Sequence, residues 1–545
     1  MKKAFIATAL LVAIFQLAEQ RSAFAQSRNY SAGTSAFGHN TTGSYDAAVG
    51  YSSMPANTTG NHNTALGSMT MNSSTTGGEN TALGTYSMYA NQTGSGNTAL
   101  GFDTLSSSTN LDGNTAVGVS ALTYDTSGTG MVGVGYQALY TNTVGAWCTA
   151  VGYQAMYRNV NGYENSALGY KALYNNYGGS YDTAVGTSAL TSNLSGSYNT
   201  GVGRLALSSN TSGSYNTATG YVALSSNTSQ YNTADGALAL YANSSGLSNT
   251  ATGYKALTSN TSASSSTAMG YQALPVSNGE GNTAIGYDAM LYSTTGYWNT
   301  AVGMNAMTGN GSGSFNVAVG ANTSGAGDTG SYNTALGYRS GSLVNGLSNT
   351  TAVGFSAVCN TSNTVCIGNS VVTQIGGQVG WSALSDARFK TAIKTDVPGL
   401  AFITRLRPVT YAWDVDKLDA FDGESPSGDP AAREARKHER HTGFLAQEVE
   451  RAAAEANYDF SGVVKPQGEH GKYALTYGEF VVPLVSGMQE QQKEIEQLRA
   501  TVRELQSGSR HAGVLGDFSA RDVVLLACGA LGVFVLKRRT VPASS

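Results

Sequence analysis

The chain has 545 residues, of which 68 are Gly and only 12% are charged, against about 7% and about 25% in ordinary globular sequence. A net charge of −4 excludes a nucleic-acid binder that works by bulk phosphate neutralisation. Only Pro55 and Pro275 of the nine Pro fall in the Gly-rich part, which excludes collagen, and 41% hydrophobic residues with 31 Tyr exclude solvated disorder. The charge is unevenly placed: residues 27–384 hold six Lys/Arg and eleven Asp/Glu, residues 385–545 twenty-one and twenty-two.

Met1–Gln26 has the form of a secretory signal peptide. Lys2 and Lys3 are its basic start, Ala4–Leu17 its apolar run, and Ala23-Phe24-Ala25 the small-x-small cleavage pattern. An exported chain is expected, with residues 1–25 removed. The four Cys are too few for a disulfide scaffold; Cys359 and Cys366 can pair if their Cα atoms approach. Their spacing matches no standard zinc site, so neither metal nor cofactor is expected.

One motif then recurs, as in Asn63-Thr64-Ala65-Leu66-Gly67 and Asn80-Thr81-Ala82-Leu83-Gly84. Its closing Gly returns every seventeen residues from Gly50 to Gly220, and onward with two steps of sixteen to Gly354 and Gly368. A fixed short period is the mark of a solenoid, whose units complete their core only by stacking. Helix is excluded by the Gly frequency and the missing 3.6 period. Two short strands and a polar turn fit one unit. Alternation predicts that Leu66, Val117, Val185 and Ile285 oppose Ala and Gly and join Leu122, Leu139, Leu173 and Leu190 in an inner ladder. Ala and Gly would then leave the other face flat. The repeated Asn can form a hydrogen-bonded ladder along the axis. The scattered acids Asp103, Asp182, Asp235 and Asp288 read as solvated surface. The Asn-x-Ser/Thr triplets match glycosylation acceptors and fit turn chemistry equally well. About twenty coils at ~4.8 Å would make a rod on the order of 90 Å long. The coil resembles the head repeats of trimeric autotransporter adhesins, which form a parallel β-roll of slightly shorter coils.

After Gly376 the composition changes. Ser385-Asp386-Ala387-Arg388-Phe389-Lys390 puts a Ser five residues before a Lys, and a desolvated Lys can take a Ser proton. Leu406–Trp413 reads as a strand, His441–Glu450 as a turn into a helix, and Tyr473–Phe480 precedes a long helix. The acidic segment Asp416–Asp429 reads as a surface loop. Val481, Leu484, Met488, Gln491, Ile495, Leu498, Val502 and Leu505 form a heptad seam. Val523–Leu536, fourteen apolar residues before Lys537-Arg538-Arg539, spans about 21 Å as a helix, short of a ~30 Å hydrocarbon core. It reads either as a membrane-associated anchor or as a buried or interfacial helix, and in outline it resembles bacterial C-terminal sorting tails.

The landmarks between residues 385 and 500 resemble the peptidase S74 family, the intramolecular chaperones of bacteriophage endosialidase tailspikes. The resemblance implies a homotrimer that helps an upstream β-structured passenger fold and then cuts itself off once, with no external substrate. Ser385 would be the nucleophile and Lys390 the general base, with the cut at Leu384, Ser385 or Asp386. Asp386 and Arg388 would flank the cut. Gly443, Gln447 and Glu448 match the family's Gly-x-x-Ala-Gln-Glu stretch in a supporting role.

The expected protein is mainly β. It divides into a signal peptide (1–25), a long parallel β-solenoid of about 20 coils (26–370), a linker (371–384), a small α+β chaperone domain (385–482), a trimeric coiled coil (483–506) and a tail (507–545). The expected role is a secreted or surface filament at the cell surface, outer membrane or beyond. The rival is an adhesin or phage-type receptor-binding fibre that recognises a glycan or surface ligand. A glycosidase is disfavoured, because the repeats offer no clustered pair of carboxylates.

Overall fold

The computed structural model describes residues 28–324, 329–342, 344–421, 429–466 and 471–508. The signal-peptide reading of Met1–Gln26 and the apolar segment Val523–Leu536 lie outside them. Among the described residues no helix is long and apolar enough to cross a membrane. Two compact units are present, the coils with residues 414–436, and residues 377–413 with those from 437 onward.

The coils form one parallel sheet of 21 three-residue strands, β1 (Tyr30–Ala32) to β21 (Val365–Ile367). Like residues pair: Thr81 with Thr98, Ala82 with Ala99, Leu83 with Leu100. The two shortened repeats are absorbed without loss of register, Thr217 meeting Thr233 and Thr267 meeting Thr283. The final coil is smaller still, with Thr351 paired to Val365, and a Cys359–Cys366 disulfide with Cα atoms 5.7 Å apart closes it.

Two local expectations are corrected. Each coil has one strand, because the stretch read as a second strand turns through left-handed residues. In the coil around β8 (Thr149–Val151), Gln154 and Met156 have φ of 53° and 47°, and Leu139 in the preceding coil has 52°. A non-Gly residue there costs about 1–2 kcal/mol. Full burial of a Leu or Met offsets this with about 1.5–3 kcal/mol, and Leu139 and Met156 are both wholly buried. The second correction follows from the corner. Ala150 points inward to meet Met156, and the flanking Thr149 and Val151 point out. The core is therefore Ala plus Leu or Met, and Leu66, Val117, Val185 and Ile285 lie on the outer face rather than in the inner ladder. Gly152, at φ 142°, closes the strand, and a Cβ there would stand 2.4 Å from the Gly169 carbonyl oxygen of the next coil.

The predicted Asn ladder exists twice over. Asn80 donates through Nδ2 to Asn63 Oδ1 (3.1 Å) and to the Gly94 carbonyl (2.8 Å), and Asn97 repeats this onto Asn80. A second column links Asn142, Asn159, Asn176, Asn193 and Asn210 at 2.7–3.1 Å. Both columns are buried, so the side chains of Asn193, Asn210, Asn243 and Asn260, each the first residue of an Asn-x-Ser/Thr triplet, are sealed inside the folded coils. The acids also divide. Asp235 is exposed and Asp103 and Asp288 are half-buried, but Asp182 is fully buried in the first column, contrary to the surface reading. Asp46 and Asp125 are buried likewise. On the outside, Tyr136, Tyr153 and Tyr170 stack at 5.1 and 5.3 Å, and Tyr181, Tyr198, Tyr215 and Tyr231 at 4.8–5.4 Å.

The residues after the coils make a small α/β region, of which residues 414–436 fall in the first unit and the rest in the second. Its elements are α1 (Leu400–Ile403), β22 (Val409–Tyr411), α2 (Val415–Phe421), α3 (Pro430–His438), β23 (His441–Gly443), α4 (Ala446–Glu455), β24 (Val463–Val464), β25 (Ala474–Leu475) and α5 (Val481–Gly508). The segment Asp416–Asp429 is not simply a surface loop. Residues 415–421 are helical, and Asp416 and Asp419 both grip Arg433 of α3, whose side chain is 8% exposed. A buried guanidinium requires such partners, which is why the acids there order the chain.

Candidate functional site

Ser385 and Lys390 flank a single 3-10 turn, Ala387–Phe389. Asp386 builds the turn. Its Oδ1 accepts the Arg388 N–H at 2.9 Å, and both its oxygens accept from the Arg388 guanidinium at 2.6–3.1 Å. That guanidinium holds the Asp386 carboxyl below its ordinary value, and the carboxylate in turn raises Arg388. Asp386 is thus an N-cap, which builds the turn between Ser385 and Lys390. The turn closes with Lys390 N–H on the Ala387 carbonyl at 3.2 Å. It carries the Lys390 side chain back over Ser385, and Nζ stands 2.8 Å from Ser385 Oγ. Sequence spacing alone had left open whether the two would meet.

The expected desolvation is missing in the single chain. Ser385 and Lys390 are exposed, and Leu384 beside them is 82% exposed. So are Trp381 and Phe389.

The supporting residues have structural partners. Gly443 pairs with Val409 across β22 and β23. It has no room for a side chain, since a Cβ would lie 2.3 Å from the Tyr477 hydroxyl oxygen. That same oxygen accepts the Phe444 N–H at 3.1 Å. Glu448, in the first turn of α4, takes Arg407 in a two-point ion pair at 2.6 and 3.0 Å, which lowers the carboxyl and raises the guanidinium. Gln447 lies exposed on the same turn. The hydrogen bonds of the Gly443–Glu448 stretch thus run to Tyr477 and Arg407, not to Ser385 or Lys390.

Residues that sequence reasoning passed over hold the frame. Phe402, Val449, Ala452, Ala453, Phe460 and Phe480 form the core. Glu490 of α5 accepts the N–H groups of Gly399 and Leu400 at 3.1 and 2.7 Å, satisfying the bare start of α1. Pro483, Gly487 and Glu490, the side of α5 that is not fully exposed, recur at helical spacing. The heptad residues Leu484, Met488, Ile495, Leu498, Val502 and Leu505 stay exposed, Met488 at 69%.

Residues 385–458 match the family model of peptidase S74, described as the chaperone of endosialidase. No curated protein and no solved structure gives a significant match to the chain. The match begins at Ser385, the first residue of the turn that holds the Ser–Lys pair. From Ser385 to Tyr458 this chain therefore carries a peptidase S74, chaperone-of-endosialidase segment, preceded by a parallel β-solenoid of about 20 turns.

Proposed function

We propose that the region from Ser385 onward is a trimeric, self-cutting chaperone that sets the solenoid chains in phase and then releases them. The observation that carries this is the 2.8 Å approach of Lys390 Nζ to Ser385 Oγ at the head of the matched segment. A neutral Lys390 amine takes the Oγ proton as Oγ attacks the Leu384 carbonyl carbon through a five-membered ring. The Leu384–Ser385 C–N bond breaks, the Ser385 nitrogen takes a proton, and an ester joins Leu384 to Oγ. Water then hydrolyses the ester, leaving a Leu384 carboxylate and a free Ser385 amine. The chemistry needs an uncharged amine, and removal of water favours that form. In the isolated chain the pair is open to solvent, so the cut waits for partner chains to cover it. The bare seam on α5 and the exposed Trp381, Leu384 and Phe389 supply apolar surface for those partners.

A need for such a device follows from the passenger. Slipping one chain by a whole coil costs little when the next coil looks the same, and parallel β-structure forms slowly. We place the rod outside the cytoplasm, at the cell surface or released from it. The leader pattern of Met1–Gln26 supports this, as does the Cys359–Cys366 disulfide, a bond of oxidising compartments.

The test sets wild type beside Ser385→Ala and Lys390→Met on a denaturing gel, with light scattering of the native material. Wild type should give fragments ending at Leu384 and starting at Ser385, and both variants should stay whole and trimeric. A trimeric wild type that never cuts, or a Ser385→Ala chain that cuts normally, would overturn the reading.

A further inference from the structure

Chains held in phase must meet somewhere along the rod, and the strands offer a surface. We propose that the outer face of the coils, a row of Thr beside a row of Leu, Val, Ile or Met, is where a second copy of this chain packs, rung against like rung. The inference deepens the assembly reading above by assigning the contacting surface.

The first support is charge. In-phase packing of identical chains sets each residue near its own counterpart, and like charges directly opposed are destabilising. The corners of the coils fail this condition, since they carry Glu79, Glu164, Lys171, Arg204 and Lys255 outside the strands. The strands meet it at every rung but one, because from β1 to β21 the single charged residue is Asp235, whose carboxylate would face its own copy.

The second support is apolar exposure on a flat ladder. Leu66 is 44% exposed and Leu168 52%. A strip of 21 strands at ~4.8 Å spacing and about 10 Å wide presents about 1,000 Å² per copy. Stable interfaces need about 800 Å² per partner. The strip is therefore large enough by itself.

The third is a built-in mark of phase. The aliphatic row runs unbroken from Val49 to Val202, gives way to Thr219, Asp235 and Thr252, and resumes at Met269. Only near the correct register does this polar break meet itself. A slip of two coils sets Asp235 against Val202 or Met269, which strands a carboxylate on apolar surface.

The test uses the full chain carrying Val151→Cys, with Gln154→Cys at the neighbouring corner as control. Cys528 is replaced by Ser in both chains, Cys148 is buried and Cys359 is bonded to Cys366, so the new thiol is the reactive one. Mild oxidation should link most Val151→Cys chains into dimers on a non-reducing denaturing gel, at least tenfold more than Gln154→Cys. Equal linking of the two overturns the proposal. Independently, Val151→Asp with Val185→Asp should leave the far-ultraviolet circular dichroism unchanged while the cut rods fall to one third of their mass by light scattering. Rods that stay assembled at full mass also overturn it. The same gels report cutting: linked chains that fail to cut count against the self-cutting reading alone, and cut chains that fail to link count against this one alone.

Discussion

Among single residues, Asp182 is the most informative. It stands in the first buried column between Asn165 and Asn199, accepting from the Asn199 N–H and side-chain amide at 2.8 and 3.1 Å. Burial raises its carboxyl from 3.8 to about 7, against the smaller lowering effect of those hydrogen bonds, and Asp125 in the second column behaves alike. A folded-state value above the unfolded one means the native coil holds a proton that the unfolded chain gives up between about pH 4 and 7. The stability from that proton is complete below about pH 4 and lost as pH rises through 7. Three units correspond to about 4 kcal/mol per group. Asp182→Asn should therefore raise the melting temperature of the coils at pH 8 and change it little at pH 3.5, read by circular dichroism. The ladder itself was legible, since Asn recurs at one position of most repeats. The burial of Asp182 was not, because a scattered acid looks like surface until one sees that it occupies an Asn position.

At the level of elements, the period, the parallel pairing and the register were all written in the spacing of Gly50 to Gly354. The direction of the side chains was not. Alternation correctly separates Ala from the aliphatic residue but cannot say which of them faces in, and propensity favours burying the larger. The left-handed turn at residues such as Leu139 decides it, by swinging one large side chain inside and leaving space opposite for only an Ala. In the second part, the Ser385–Lys390 pair was readable from spacing and resemblance, whereas the packing of α1 on α5 was not, because it joins residues about ninety apart. There a Cβ on Gly399 would lie 2.4 Å from the Gly487 backbone nitrogen. Backbone cannot give way as a flexible side chain does, so Gly399→Ala should destabilise the segment by about 1–3 kcal/mol. Thermal melting of that segment, with the self-cutting yield measured alongside, checks the outcome.

At the scale of the whole molecule, the two parts should respond to pH in opposite directions. The coils carry buried Asp46, Asp125 and Asp182, all raised by desolvation. The later segment carries Asp386, Glu448 and Glu450, lowered first by Arg388, Arg407 and Lys465 respectively. A lowered carboxyl gives stability that is present above its unfolded value and lost as pH falls through the folded one. Acidification below about pH 4 should loosen the later segment while the coils keep their order, and alkali above pH 7 should weaken the coils first. Limited proteolysis at pH 3.5, 6 and 9, with fragments mapped by mass, would show the order; coils digested first at pH 3.5 would contradict it.

The narrow last coil has one further consequence. A stack of near-identical rungs has no natural stopping point, and an open strand edge invites another chain to continue the backbone pairing, as fibrils do. At β21 the outline shrinks and the Cys359–Cys366 bond locks it, so the first coil of a second rod meets a rim of the wrong girth. On the self-cutting reading proposed above, freed rods would thereby resist splicing end to end into cables and would keep the length set by their own number of coils.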